Sequence, residues 1–453
     1  MSVYVNRLLN FKKIKVVGFD MDYTLVGYNI EAFEGLTHSQ AAHRLVEKLD
    51  YPQEVSELVF DHQRAIVGLV IDKRNGNLLK LSRFGKVKLA YHGLDEIDFR
   101  ERKALYRQRA IDLRDSDFQS LDTAFAISNG VLFAQLVQLK KEGATLPDYR
   151  QMAADVNECI DGLHKDGTLK TILRADFSQY VVKDEGTARL LERLRDYGKK
   201  LMIITNSDYA YTKALLDYAL NPFLEKYSCW EEVFDLVITF AEKPRFFEGK
   251  HRFLKVNPQT GTMSNHEGSV CSGIWQGGWF GGVQQGFEFE GDEFLYLGDH
   301  IYGDVVSIKK LCDWRTGLVL SGLEEELNAI ENTRVLQEEI DSLMAKKEHI
   351  QHTIEEQEMM ARSESGKTSR GDDALYAELE KENSKISERV EELRTYFNPY
   401  WGEIFRAGSE ESHYAAQVER YACIYMTKLA DLNASSPRTY FRPPRRKLAH
   451  ERG

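Results

Sequence analysis

KIKVVGFDMDYTLVGYN, residues 13–29, sets an apolar, β-branched run against two aspartates, and its reading decides the fold. Ile14, Val16, Val17 and Phe19 form the kind of continuous apolar run that is buried on both faces of a parallel sheet. The run stops at Asp20 and Asp22, which lie on one side because strand side chains alternate. Two like charges placed there repel each other and favour neither folding nor burial. A partner must offset that cost.

Similar runs recur downstream. LMIIT (Leu201 to Thr205) leads into NSDYAYTKALLDYAL, where Ser207 or Asp208 can cap a helix carrying Leu215, Leu216 and Leu220. Ahead of it, ARLLERLRDYGKK has helical spacing and stops at Gly198, giving helix, stop, strand, helix. FDLVITFA (Phe234 to Ala241) leads to Lys243-Pro244, and FLYLGDHIYGD ends in Asp299 and Asp304. One βαβ crossover takes about 30 or more residues. The distance from Asp22 to Thr205 far exceeds that and implies an inserted domain, whereas Thr205 to Lys243 fits an ordinary crossover.

The expected organisation is therefore an α/β protein with a Rossmann-like parallel sheet. Residues 1–26 start the core, 27–185 form an inserted α+β cap, and 186–322 complete the core. From Leu323 the apolar residues recur at three- and four-residue steps amid Glu and Lys, on both sides of the polar stretch Ser363 to Asp373. That pattern predicts an antiparallel helical hairpin over 323–396, with a polar tip and an apolar edge suited to its own core or a second subunit. Residues 397–453 end in a basic tail. The triplet Gly366 to Thr368 imitates the end of a P-loop, but Ala361 stands where the first glycine belongs and no strand precedes it. GIWQGGWFGG (Gly273 to Gly282) reads as a hairpin or loop packed close to backbone.

Composition narrows the function. With 42% hydrophobic and 29% charged residues, the 453-residue chain has a globular make-up. A formal net charge of −11 argues against a nucleic-acid or membrane-surface protein. No secretory signal or membrane-length apolar run is evident. The five cysteines show no zinc or redox spacing and read as reduced thiols, so the expected location is cytoplasmic.

In an open parallel sheet, ligands bind outside the carboxyl ends of the strands. Asp20/Asp22, Thr205, Lys243 and Asp299/Asp304 occupy such ends or lie just beyond them, so they can converge on one crevice. So many carboxylates require a cation, and oxygen ligands suit Mg²⁺. Lys243 and the amides after Thr205 suit a phosphate dianion. A carboxylate can attack phosphorus to give an aspartyl-phosphate, and a second carboxyl two residues on can act as general acid and base.

The motifs D-M-D-Y-T (Asp20 to Thr24), T-N-S-D-Y (Thr205 to Tyr209), Lys243-Pro244 and G-D-H-I-Y-G-D (Gly298 to Asp304) resemble those of the haloacid dehalogenase superfamily. Their wording, with YVVKD at Tyr180 to Asp184, is similar to the cytosolic purine 5′-nucleotidases that prefer IMP and GMP; the resemblance runs over about residues 10 to 450. It implies Asp20 as nucleophile and Asp22 as general acid/base, with Thr205, Asn206, Ser207 and Lys243 on the phosphate. Mg²⁺ would be held by Asp20, the backbone carbonyl of Asp22 and Asp299, supported by Asp304. In the cap, Phe125 and His164 match the rings that stack the purine, Asp161 a base-reading carboxylate and Lys170 a phosphate-side lysine. The resemblance also implies phosphotransfer to nucleosides, a homo-oligomer (dimer or tetramer) and activation by a nucleotide effector.

Two positions depart from the pattern. Asn157 stands where an arginine is expected beside the base, and QQGFEFEGDE carries no helical pattern where a helix is expected. Two rival readings follow: the same core acting on a non-nucleotide phosphate ester, or a nucleotide-sensing scaffold working through the hairpin.

Overall fold

The computed structural model describes residues 3–107, 110–365, 373–445 and 449–451. The opening run forms the strand Val16–Phe19, whose four residues are all buried. It lies at the middle of a ten-stranded sheet in the order Val3–Val5, Ile424–Met426, Arg315–Val319, Phe294–Gly298, Val16–Phe19, Lys200–Ile204, Leu236–Thr239, Gly273–Gly277, Phe253–Val256 and Met263–His266. Pairing is parallel from Ile424–Met426 through Gly273–Gly277 and antiparallel at both margins. Val16–Phe19 is flanked by Lys200–Ile204 on one side and Phe294–Gly298 on the other. The chain order reverses across this strand, which marks a switch-point crevice.

Close packing holds the centre. A Cβ on Gly18 would lie 2.6 Å from the Met202 side chain and 2.9 Å from that of Tyr296, so only glycine fits between those neighbours. Val16, Met202, Ile204, Ile238, Phe294 and Trp314 belong to one buried apolar cluster. The helix Glu185–Asp196 ends before Gly198, which has φ +74°, as its sequence suggests.

The chain leaves the core through Gly27–Tyr28 and returns through Val181–Val182, two strands paired antiparallel. Between them lie a five-stranded antiparallel sheet and several helices, among them Ile30–Leu49, Ile127–Lys141, Tyr149–Lys165 and Thr168–Ala175. Glu34, fully buried on the first of these helices, accepts the Ser128 amide at 3.0 Å in the first turn of the second, where no local side chain caps the helix.

The glycine-rich tract and the segment after it differ from the sequence reading. GIWQG is the strand Gly273–Gly277, and Phe280–Phe287 is a helix leading to the next core strand. The helix was obscured because glycines occupy its packing face. A Cβ on Gly281 would lie 2.1 Å from the Trp279 ring, and one on Gly282 would lie 2.6 Å from that of Phe253.

Residues Leu323–Glu403 form a second compact unit. Its helices Leu323–Asn332, Arg334–Ser365 and Asp373–Arg394 include an antiparallel pair registered by Lys346 with Glu382 at 3.0 Å and Arg389 with Glu339 at 3.0 Å. Ile350 and Ile354 are buried within it. The P-loop-like triplet and most of the polar tip lie outside the described residues, as does part of the basic tail. Among the described residues, no helix is long and apolar enough to cross a membrane.

Candidate active site

Loops at the carboxyl ends of four neighbouring strands bring the sequence-selected residues together. Lys243, beyond Leu236–Thr239, places its ammonium 2.9 Å from Asp20 Oδ2 and 2.8 Å from Asp304 Oδ1. It also donates to the Tyr296 hydroxyl at 3.0 Å, and that hydroxyl donates to the Ile204 carbonyl at 2.9 Å. The loop that delivers Lys243 is locked to the Thr205 loop. The Lys243 amide donates to Asn206 Oδ1 at 2.6 Å, and Asn206 Nδ2 returns a bond to the Lys243 carbonyl at 3.2 Å. Thr205 Oγ1 accepts the Ser207 amide at 3.1 Å.

Asp304 is tucked back against its own strand, and Gly298 makes room for it. A Cβ there would lie 2.4 Å from Asp304 Oδ2, which accepts the His300 amide at 3.3 Å. Asp20, Asp299 and Asp304 each offer an oxygen within 4.8 Å of the others. Asp299 Oδ2 is buried without a hydrogen-bond partner. Burial, followed by the charges of Asp20 and Asp304, pushes the Asp299 carboxyl well above the usual carboxylate range. An orphaned carboxylate oxygen beside two further carboxylates fits a hard divalent cation with oxygen ligands.

Burial pushes Asp20 up to about 6, against the downward pull of Lys243. The Met21 amide holds Asp20 Oδ1 at 2.7 Å. Burial also pushes Asp22 up to about 6, although its oxygens accept from Tyr28 Oη at 2.5 Å and Ser207 Oγ at 3.2 Å. Burial would lower Lys243, yet Asp20 and Asp304 hold it well above the usual lysine range. The ammonium therefore stays charged beside the carboxylates.

The cap residues are less uniformly gathered. Phe125 meets His164 edge to face with ring centroids 5.8 Å apart. Stacking both faces of a purine would need parallel rings with room for it between them, an arrangement these two rings do not have. Phe125 also packs on Tyr23 and Phe33. Burial depresses the His164 imidazole to about 4, keeping it neutral. Lys170 reaches the mouth of the site but is paired with Asp208 at 2.7 Å. Asp208 also caps the helix Tyr209–Ala219. Asp161 is exposed and lies 3.7 Å from Lys165. Asn157 forms a closed amide pair with Gln119 and accepts from Asn129 at 2.5 Å.

Tyr28, Tyr211 and Tyr296 touch the site without belonging to the motifs recognised in the sequence. Tyr296 had a legible signal, since it stands two residues before Gly298 on the same strand and alternation points both the same way.

The family model described as the 5′ nucleotidase family matches residues 3–453. The chain belongs to the 5′ nucleotidase family. As a 5′-nucleotidase it is a phosphate-ester hydrolase. It is 27% identical over 457 residues to a 5′-nucleotidase domain-containing protein of Dictyostelium discoideum, covering 99% of this chain and 75% of that protein. It is 26% identical over 471 residues to 5′-nucleotidase domain-containing protein 2 of Rattus norvegicus, covering 99% and 80% respectively. Among solved structures, a predicted phosphoglycolate phosphatase from Haemophilus somnus aligns at a TM-score of 0.31 and 11% identity, over 68% of this chain and 85% of that one.

Proposed function

We propose that this 5′-nucleotidase hydrolyses purine nucleoside 5′-monophosphates, IMP and GMP, with Mg²⁺, through an aspartyl-phosphate on Asp20. The observation that carries this reading is the convergence of Asp20, Asp299 and Asp304 within 4.8 Å, with Lys243 against Asp20. Asp20, the backbone carbonyl of Asp22 and Asp299 would hold the ion, with Asp304 supporting them and orienting Lys243. When bound, Mg²⁺ supplies positive charge that offsets the repulsion between these carboxylates and the substrate phosphate.

A carboxylate oxygen of Asp20 attacks phosphorus as the bond from phosphorus to the nucleoside 5′-oxygen breaks. The electron pair stays on that oxygen, and Asp22 gives it a proton. Water then yields a proton to Asp22 and attacks phosphorus. The bond to Asp20 breaks, inorganic phosphate leaves, and both carboxyl groups are restored. A nucleoside hydroxyl replacing water gives phosphotransfer. Thr205, Asn206, Ser207, Lys170 and Lys243 bind the phosphate; residues 27–185 act as the cap, with Phe125, Asn157, Asp161 and His164 towards the base.

The direct edge-on contact of Phe125 with His164 favours a second reading, a smaller phosphate ester that needs no slot between the rings. Phosphate release from IMP, GMP, AMP, UMP and a sugar phosphate, with EDTA and Asp20→Asn as controls, separates the two. Metal-dependent release confined to IMP and GMP supports the purine reading, while sugar-directed release contradicts it. The resemblance also supports a homo-oligomer and a nucleotide effector; sedimentation with and without added nucleotide tests both.

A further inference from the structure

Tyr28 belongs to none of the recognised motifs, yet its hydroxyl lies closer to Asp22 than any other group that donates to that carboxyl. Tyr28 Oη is 2.5 Å from Asp22 Oδ1, and Ser207 Oγ is 3.2 Å from Oδ2. Behind Tyr28, the Tyr211 hydroxyl lies 3.3 Å away. With Tyr211 donating to Tyr28 and Tyr28 to Asp22, the chain of hydroxyls ends on a single carboxylate oxygen.

Both tyrosines are held so that the chain cannot slacken. Tyr28 is 7% exposed and sits on the short strand paired with Val181–Val182. The next residue, Asn29, donates its amide to the Tyr180 carbonyl at 2.8 Å. The Tyr28 ring packs on Tyr23 and Phe33 at centroid distances of 5.0 Å and 5.1 Å. Tyr211 lies in the first turn of Tyr209–Ala219, with Lys170 Nζ 5.2 Å and the Arg174 guanidinium 5.6 Å from its ring centre.

We propose that Tyr28, backed by Tyr211, is a positioning residue that fixes the orientation of the Asp22 carboxyl. The inference rests on the reading of Asp22 as the general acid. A phenylalanine would fill the same aromatic cluster, so packing alone does not call for the hydroxyl. An aspartate carboxyl otherwise turns broadly about its last bond. Tyr28 then holds Oδ1 by the shorter bond, and Oδ2, which accepts only the longer bond from Ser207 Oγ, carries the proton passed to the leaving alkoxide as the phosphorus–oxygen bond breaks. Misplacement of a catalytic group by about 1 Å can cost about 100-fold.

The leaving group makes the test specific. An alkoxide needs a proton as it departs, whereas a nitrophenolate leaves without one. The experiment compares kcat/KM, which reports the step releasing the first product, for the alkyl phosphate cleaved best and for p-nitrophenyl phosphate. Tyr28→Phe is expected to lower the alkyl value by about 10- to 100-fold and the aryl value by less than about threefold. Tyr211→Phe should shift the ratio the same way by less, and it decides the matter if Tyr28→Phe does not fold. Equal losses on both esters, or no loss on either, overturn the proposal. Asp22→Asn distinguishes the failures. If it also shows no dependence on the leaving group, or the wild type cleaves neither ester, the functional reading fails and takes the inference with it; if it shows the dependence while the tyrosine variants do not, the positioning role alone is overturned.

Discussion

Lys243 Nζ stands 2.9 Å from Asp20 Oδ2, a buried ammonium held against the carboxylate at the end of the central strand. Removing it exposes Asp20 and Asp304 to each other and takes away a cation from the proposed phosphate site. Lys243→Met is expected to lower kcat/KM by at least about 100-fold, as for the loss of a group stabilising charge in the transition state. Breaking a buried pair from one side also destabilises by about 3–5 kcal/mol. Steady-state kinetics and denaturant unfolding check both; near-normal activity would remove Lys243 from the phosphate site.

Asp299 predicts a metal signature that does not depend on turnover. Its Oδ2 has no hydrogen-bond partner, and its burial works against ionisation. Adding Mg²⁺ at about 100 times its Kd should stabilise the wild type by about 2.7 kcal/mol. In Asp299→Asn that gain should vanish, while the metal-free variant should be at least as stable as metal-free wild type because a buried carboxyl has been neutralised. Thermal unfolding with EDTA and with Mg²⁺ reads both effects. An undiminished Mg²⁺ shift in the variant would place the ion elsewhere.

Much of this site was legible in the sequence because strand ends leave short-range marks. An apolar run breaking into Asp20-Met21-Asp22, or into Gly298-Asp299, records both the burial of the strand and the place where it opens to a crevice. Asp208 as a helix cap and Gly198 as a stop are similarly local, and both have those roles in the structure. Tyr28 left no such mark: it stands outside the motifs, on the strand Gly27–Tyr28 that pairs with Val181–Val182 across the whole insertion. The helix Phe280–Phe287 was hidden for another reason, since Gly281 and Gly282 occupy positions where an apolar periodicity would normally show.

Glu34 gives the fold a pH dependence of its own. Burial pushes its carboxyl up to about 7, above the usual glutamate value of 4.5, against the opposing effect of the Ser128 amide. The folded state therefore holds the proton more tightly than the unfolded chain. This contribution to stability is fully present below about 4.5 and is lost as pH rises towards 7 and beyond. Glu34→Gln keeps an acceptor for Ser128 and removes the ionisation. It should unfold at a similar denaturant concentration to wild type at pH 4.5 and be more stable by about 2–3 kcal/mol at pH 8. A difference that does not change with pH would show that Glu34 is not the group responsible.

Phe125 separates substrate choice from chemistry. On the purine reading, Phe125→Ala should lower kcat/KM for GMP by about 10-fold or more, the order expected from losing about 1–3 kcal/mol of base stacking. Cleavage of an aryl phosphate should change little. Parallel kinetics on the two substrates provide the check, and equal losses would make Phe125 a packing residue of the cluster it shares with Tyr23 and Phe33.

The most direct test of the central claim is to quench the enzyme in acid during turnover of substrate carrying a labelled phosphoryl group and to locate the label. The expected result is an acid-stable label on the peptide containing Asp20 in the wild type and none in Asp20→Asn, which should also release no phosphate. Label on another residue, or normal phosphate release by a folded Asp20→Asn, would contradict an aspartyl-phosphate at Asp20.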